Sequence, residues 1–147
     1  MVWLGNYAMR KSKAVELRLY APQRERIFLD FLPLKERDEE NWNPKWEEWH
    51  CYYKRLRIYQ QDYNLLLGYF EKIYPTKDAF NGTPELAFDV CFDNWIGKSD
   101  WKIIIDEINK KDIDNHSENE KEFFLKFLEW LNEALEHTNI IVVEGNL

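Results

Sequence analysis

The run from Ser117 to Gly145 constrains the fold more than any other part of the chain, because an amphipathic helix there leads into a strand of continuous apolar character. Ser117-Glu118-Asn119-Glu120 matches a capping box, in which a hydroxyl and a carboxylate each meet a backbone donor that the first turn leaves unpaired. Behind it Phe124, Phe127, Leu128, Leu131 and Leu135 form one stripe, with Glu122, Lys126, Glu129, Glu133 and Glu136 along the opposite side. The segment NIIVVEG, residues 139–145, then reads as a short strand of the kind buried in a sheet interior. A helix with one apolar stripe beside such a strand calls for helix-on-sheet packing.

The other elements follow the same logic. AVELRLY alternates Val15, Leu17 and Leu19 with polar neighbours, and RIFLDFL alternates again before Pro33, which predicts a hairpin. HCYYKRLRIYQ, residues 50–60, has the aromatic and β-branched content of a third strand. A helix is expected next, capped by Asp62, carrying Tyr63, Leu66, Leu67 and Phe70 on one side and ending near Tyr74 before Pro75. DAFNGTPE reads as a turn, and Leu86, Phe88, Val90 and Phe92 alternate as the apolar side of a fourth strand. FDNWIGKSDW then serves as a junction that turns through Gly97, and a helix opens at Lys98 or Ser99 with Trp101, Ile104, Ile105 and Ile108 on one stripe. The expected order is β-β-β-α-β-α-α-β, an α+β fold whose mostly antiparallel sheet carries helices packed on one face.

A chain of 147 residues with 45% hydrophobic side chains holds material for one core. No repeat or linker divides it, so residues 1–147 read as a single domain. Cys51 and Cys91 lie in apolar or aromatic runs without CxxC spacing, as reduced, buried thiols of a cytoplasmic protein would. Near the N-terminus, Arg10, Lys11 and Lys13 come after the apolar residues, the reverse of a signal peptide. No apolar stretch approaches the roughly 20 residues that span a bilayer. Net charge is −7, unevenly spread: residues 1–60 carry twelve Lys and Arg against nine Asp and Glu, residues 61–147 eight against eighteen. Such a layout steers a basic partner toward the acidic part.

Chemistry-bearing patterns are few. Asp89, Asp93, Asp100 and Lys102 offer an Asp...Asp-x-Lys arrangement like that of some metal-dependent nucleases, in which carboxylates hold the cation and lysine steadies the transition state. Asp100 and Lys102, however, fall in the first turn of a helix, where i and i+2 side chains diverge. Asp89 and Asp93 would stand roughly 13 Å apart on an extended strand. The run Asp112, Asp114, His116 imitates a calcium loop but has Ser117 and Phe123 where glycine and glutamate are required. His50, His116 and His137 lack metal-ligand spacing. Nucleotide and serine-nucleophile motifs are absent from the sequence. Lys54-Arg55-Leu56-Arg57 beside Tyr52, Tyr53 and Tyr59 mixes basic and aromatic residues, yet strand alternation sends Lys54 to one face and both arginines to the other.

The segment Lys35 to Trp49 sets Asp38, Glu39, Glu40 and Glu47 around Trp42, Trp46 and Trp49, without a period that would assign all three rings to a core. Either the rings fold back over the sheet or they anchor a partner whose basic groups meet the acids. Those seven residues are the expected partner-binding site. In size, acidity, aromatic loading and Lys/Asn/Ile-rich composition the chain resembles the bacterial immunity proteins that neutralise a cognate toxin. The resemblance covers no defined stretch, so no residue roles carry over. It implies stoichiometric occlusion of a basic toxin domain, without catalytic residues, metal or cofactor, and without nucleic acid or membrane. A metal-dependent nuclease, and a regulatory or interaction module of a phage or mobile element, are the alternatives.

Overall fold

The computed structural model describes residues 2–3, 15–34, 55–110 and 116–147. Eight strands are found among them: β1 (Val2–Trp3), β2 (Val15–Glu16), β3 (Phe28–Pro33), β4 (Leu56–Tyr59), β5 (Thr76–Lys77), β6 (Pro84–Glu85), β7 (Asp93–Gly97) and β8 (Ile140–Gly145). Helices α1 (Gln60–Tyr63) and α2 (Leu67–Phe70) are short, and a 3-10 turn (Glu71–Ile73) continues the second. Helices α3 (Lys98–Lys110) and α4 (Glu118–Ala134) are long. The main sheet runs β1-β2-β4-β3-β8-β7, and β5-β6 form a separate ribbon. Every pairing is antiparallel except β2 with β4. This is the expected α+β plan.

Strand β8 lies between β3 and β7, which explains its unbroken apolar run: Ile141, Val142 and Val143 are fully buried. One face of the sheet, with Leu29, Phe31, Leu56, Ile58, Ile96 and Val143, joins buried residues of helices α1 to α4 in a single cluster. Phe31 sits at its centre, 5.4–6.3 Å from the rings of Phe70, Trp101, Phe127 and Trp130. Trp101 is fully buried and its indole N–H donates to the Ile141 carbonyl at 3.2 Å, so the ring's single polar group is satisfied. In α3, Trp101, Ile104, Ile105 and Ile108 are the buried residues, as their spacing predicts. The Ser117 hydroxyl accepts from the Glu120 N–H, completing half of the expected capping box.

Three expected secondary-structure elements do not form as read, each because a polar side chain claims backbone groups from a distant segment or a local period breaks. The hairpin of β2 with β3 does not form, since β4 lies between them. Beyond Leu17 the backbone N–H groups of Leu19, Tyr20 and Ala21 donate to the carboxyl of Asp62 at 2.8, 2.6 and 3.4 Å. The chain is therefore drawn across the end of β4 toward α1. Asp62 accordingly lies within α1, fully buried, and is not the expected cap of a long helix. That helix is itself interrupted between Tyr63 and Leu67; Tyr63, Leu66 and Phe70 are buried, Leu67 only in part.

The third failure is the strand expected over Leu86–Phe92. This segment is a loop, with Leu86 82% and Phe92 69% exposed; Phe88 is buried in the core, 5.0 Å from Phe70, and Val90 packs against it in part. Strand β7 begins at Asp93, inside the stretch expected to be a junction, and α3 follows Gly97 without an intervening turn. Buried Asn94 explains the shift. Its amide donates to the carbonyls of Asp89, Phe92 and Val143, and its carbonyl accepts from the Asp89 N–H. One side chain thus satisfies backbone groups that a strand would have paired. Gly145 lets the loop cross the end of β8, because a Cβ there would fall 1.9 Å from the Val90 carbonyl oxygen. Cys91, expected to be buried, is exposed on this loop.

Candidate functional site

The expected partner-binding residues Asp38, Glu39, Glu40, Trp42, Trp46, Glu47 and Trp49 lie outside the described residues, as do Cys51, Lys54, Asp112 and Asp114. Within the described part, a cleft of about 220 Å³ opens between the β5-β6 ribbon, the Leu86–Phe92 loop and edge strand β7. Each wall is held by local chemistry. The ribbon turns at Asn81-Gly82, where Gly82 adopts φ +75°, a conformation that glycine takes without steric cost. The Asp78 carboxyl accepts the N–H groups of Phe80 and Asn81 across this turn. The ribbon docks on β7 through the Ala79 N–H to Trp95 carbonyl bond at 3.1 Å and the stacking of Phe80 on Trp95 at 4.8 Å. Asn94 fixes the opposite wall, as described above.

Four carboxyl groups line this cleft, from Asp78, Glu85, Asp89 and Asp93, together with the rings of Tyr74, Phe92 and Trp95. The described lining contains no Lys, Arg or His. Burial, reinforced by Glu71, Glu85, Asp100 and Asp78, pushes the Tyr74 hydroxyl above its ordinary range, so the phenol stays neutral and able to donate a hydrogen bond. Desolvation raises the Asp93 carboxyl as well, although the residue as a whole is exposed. Carboxylates beside aromatic rings suit an ammonium or guanidinium group, which gains both Coulomb attraction and ring-quadrupole contact.

Asp89 and Asp93 belong to the same cleft, contrary to the wide separation expected on an extended strand; the strand is absent and the loop folds back on Asn94. Asp100 is not among the lining residues. It sits in the first turn of α3 and accepts from the Thr76 hydroxyl at 2.7 Å, tying the ribbon to the helix. Lys102 is exposed on α3, away from the cleft lining. Among the described residues no three His, Cys, Asp or Glu side chains are grouped as they would be around a metal ion. His116 bonds Glu120 at 3.1 Å and packs on Phe124.

The sheet face opposite the helices carries a charged row. Register places Glu16, Arg57, Asp30, Glu144 and Asp93 side by side across β2, β4, β3, β8 and β7. Asp30, 1% exposed, accepts from Arg55 at 2.8 Å and from Arg57 at 2.8 and 2.9 Å. Arg57 also lies 3.6 Å over the Phe28 ring, and Arg18 4.0 Å over Tyr59. The two arginines of the basic-aromatic stretch do share a face, as alternation predicts, and that face gives them to Asp30. At one end of the row Glu16 accepts from Tyr59 and Arg18. Burial opposes ionisation of Glu16, but those hydrogen bonds outweigh it and hold its carboxyl below the ordinary range.

The cleft was not legible in the sequence beyond Asp89 and Asp93. Tyr74, Asp78, Glu85, Phe92 and Trp95 are spread over 22 positions, and the available signal was the Asn-Gly turn that brings Asp78 and Glu85 together on paired arms. No helix among the described residues is long and apolar enough to cross a membrane. No family model matches the chain, and no curated protein and no solved structure matches it.

Proposed function

We propose that this chain is a non-catalytic binding protein that docks onto a positively charged partner protein, and that its role is that of an immunity protein neutralising a toxin by stoichiometric occlusion. The observation that carries the docking is the acidic and aromatic cleft at the β7 edge, four carboxyl groups and three rings with no cation in its described lining. Exposed Phe92 and Leu86 stand on the loop that forms one wall, giving apolar surface beside the charge. Aromatic anchors rimmed by complementary charge are the recurrent composition of tight interfaces. The immunity role adds to this the acidity and size of the chain. Charge would speed encounter, and its reach of about 8–10 Å at physiological salt makes that speed sensitive to ionic strength.

The docking test uses a tri-arginine peptide as probe, followed by NMR shifts of Trp95 and of the loop amides 89–92. Saturable binding that weakens steeply with salt, and weakens further in an Asp89→Asn variant, is the expected result. Absence of binding at low salt would reject the cleft. Magnesium and manganese titrations separate the metal-dependent nuclease alternative, which expects a rise in thermal stability with either ion. The neutralising role is tested by co-expression with a basic toxin domain encoded beside this chain, where a salt-sensitive 1:1 complex and rescue of growth are expected. A complex that leaves the toxin active would reject neutralisation.

A further inference from the structure

We propose that Asn81-Gly82, at the tip of the β5-β6 ribbon, is a self-modification site: in the folded protein the Gly82 backbone nitrogen attacks the Asn81 side-chain amide, and the chain converts there to aspartate and isoaspartate. The pair is the only Asn-Gly step in the sequence. The chemistry is independent of what the cleft binds, although it acts on one of the cleft walls. Both residues are exposed, so water and a solvent base reach them. Gly82, at φ +75°, has no side chain to shield its nitrogen, and beyond its chain neighbours no atom lies within 4 Å of where a Cβ would stand.

The hydrogen bonds of the turn favour the attack. The Asn81 side-chain oxygen accepts from the Thr83 N–H at 3.0 Å. The ring closed by that bond contains both Cγ of Asn81 and the nitrogen of Gly82, and it curls the side chain over the peptide between them. The same N–H polarises the amide carbonyl and stands ready to stabilise the charge that its oxygen takes up in the tetrahedral intermediate. One bond opposes the reaction: the Gly82 N–H donates to the Asp78 carbonyl at 2.8 Å, and it must open before the nitrogen can lose its proton. The strands that hold it are two residues each, and so short a pair is marginal by itself. The contacts that dock the ribbon, from Ala79 and Phe80 to Trp95, lie before the turn, so the tip can open without undocking.

In the reaction the Gly82 nitrogen passes its proton to a solvent base and bonds to Asn81 Cγ. The amide nitrogen takes a proton from water and leaves as ammonia, which closes a succinimide ring. Water then opens that ring at either carbonyl. Cleavage at Cγ restores the main chain with aspartate; cleavage at the main-chain carbonyl leaves the chain running through the side chain, as isoaspartate. The net change is water consumed and ammonia released, with no change of oxidation state. Isoaspartate lengthens the main chain by a methylene inside a turn that the Asp78 N–H and Thr83 carbonyl close at 2.9 Å. Either product adds a negative charge to the ribbon that carries Asp78 and Glu85.

Folded protein is kept at mildly alkaline pH and physiological temperature beside a sample unfolded in urea. The tryptic peptide from Asp78 to Lys98 is then followed by mass spectrometry, with fragmentation that separates Asn81 from Asn94. The expected result in the folded sample is the mass gain of an amide-to-acid change at Asn81, mostly as isoaspartate, while buried Asn94 keeps its amide. Asn81→Gln, whose longer side chain must close a larger ring, should abolish the gain. Thr83→Pro removes the N–H donor, so it should slow the reaction in the folded protein and leave the rate in urea unchanged. Equal folded rates with and without that donor overturn its assigned role. A folded wild-type sample that keeps the Asn81 amide while the urea sample loses it overturns the proposal outright, whether or not either variant folds.

Discussion

Removing the carboxyl group of Asp62 should cost about 4 kcal/mol, although the side chain touches neither the cleft nor the aromatic centre of the core. Its Oδ2 accepts from Leu19 at 2.8 Å and from Ala21 at 3.4 Å, and its Oδ1 from Tyr20 at 2.6 Å. Two of these bonds are short and the third is long, and Asp62 is fully buried. A hydrogen bond to a charged group contributes about 1.5–3 kcal/mol. Asp62→Ala orphans both short-bond donors, giving the estimate above. Asp62→Asn should cost about half as much. Its carbonyl can still serve Leu19 and Ala21 from the Oδ2 position, but its amide then confronts the Tyr20 N–H. Urea unfolding followed by tryptophan fluorescence checks the series. With a slope of about 2 kcal/mol/M, the alanine variant should lose roughly 2 M in midpoint without a change of slope. Hydrogen exchange at Leu19 and Tyr20 should accelerate in parallel. A loss under about 1 kcal/mol, or unchanged exchange at those amides, would refute the claim that this carboxyl organises the β2–β3 connection.

Other expectations follow from the same contacts. Asp30→Ala leaves Arg55 and Arg57 without their shared acceptor and should cost about 3–5 kcal/mol in chemical denaturation; a near-neutral effect would mean that the pair is solvated. Gly145→Ala places a methyl group against the Val90 carbonyl, so it should displace the 89–92 loop, lower the melting temperature and weaken peptide binding in the cleft. The raised carboxyls of Asp93 and Glu144 destabilise the fold once ionised: their contribution is favourable at low pH and is lost as pH rises through their folded values. Asp93→Asn should therefore raise stability at neutral pH relative to wild type and flatten the acid part of the stability–pH curve, measured by thermal unfolding across pH. A variant that loses stability at neutral pH would contradict this sign.

Much of the fold was readable where the governing interactions fall within one or two helical turns. The stripe of Trp101, Ile104, Ile105 and Ile108 and the Ser117 cap appear as their spacing predicts. The Leu86–Phe92 alternation misled because a period of two records which side chains are apolar, while the backbone of that segment is held by Asn94, itself bonded to Val143 49 positions away. The Tyr63, Leu66, Phe70 stripe found its buried side through two short helices rather than one. Of the candidate site, Asp89 and Asp93 were singled out by residue type, but their partnership in one cleft depends on a loop crossing that Gly145 permits.

By itself the sequence determined the α+β class, the two long helices with their buried stripes, the interior strand at residues 140–145 and the acidity of the C-terminal part. These properties arise from local periodicity, capping and charge count, which operate over a few neighbouring residues. Only the tertiary structure decided that β4 separates β2 from β3, that Asp62 gathers the amides of residues 19–21, and that acids from a ribbon, a loop and an edge strand share one cleft. The physical reason is that a buried polar atom takes whichever partner the packed chain brings within hydrogen-bonding reach, and across 40 or more residues no local pattern encodes that choice.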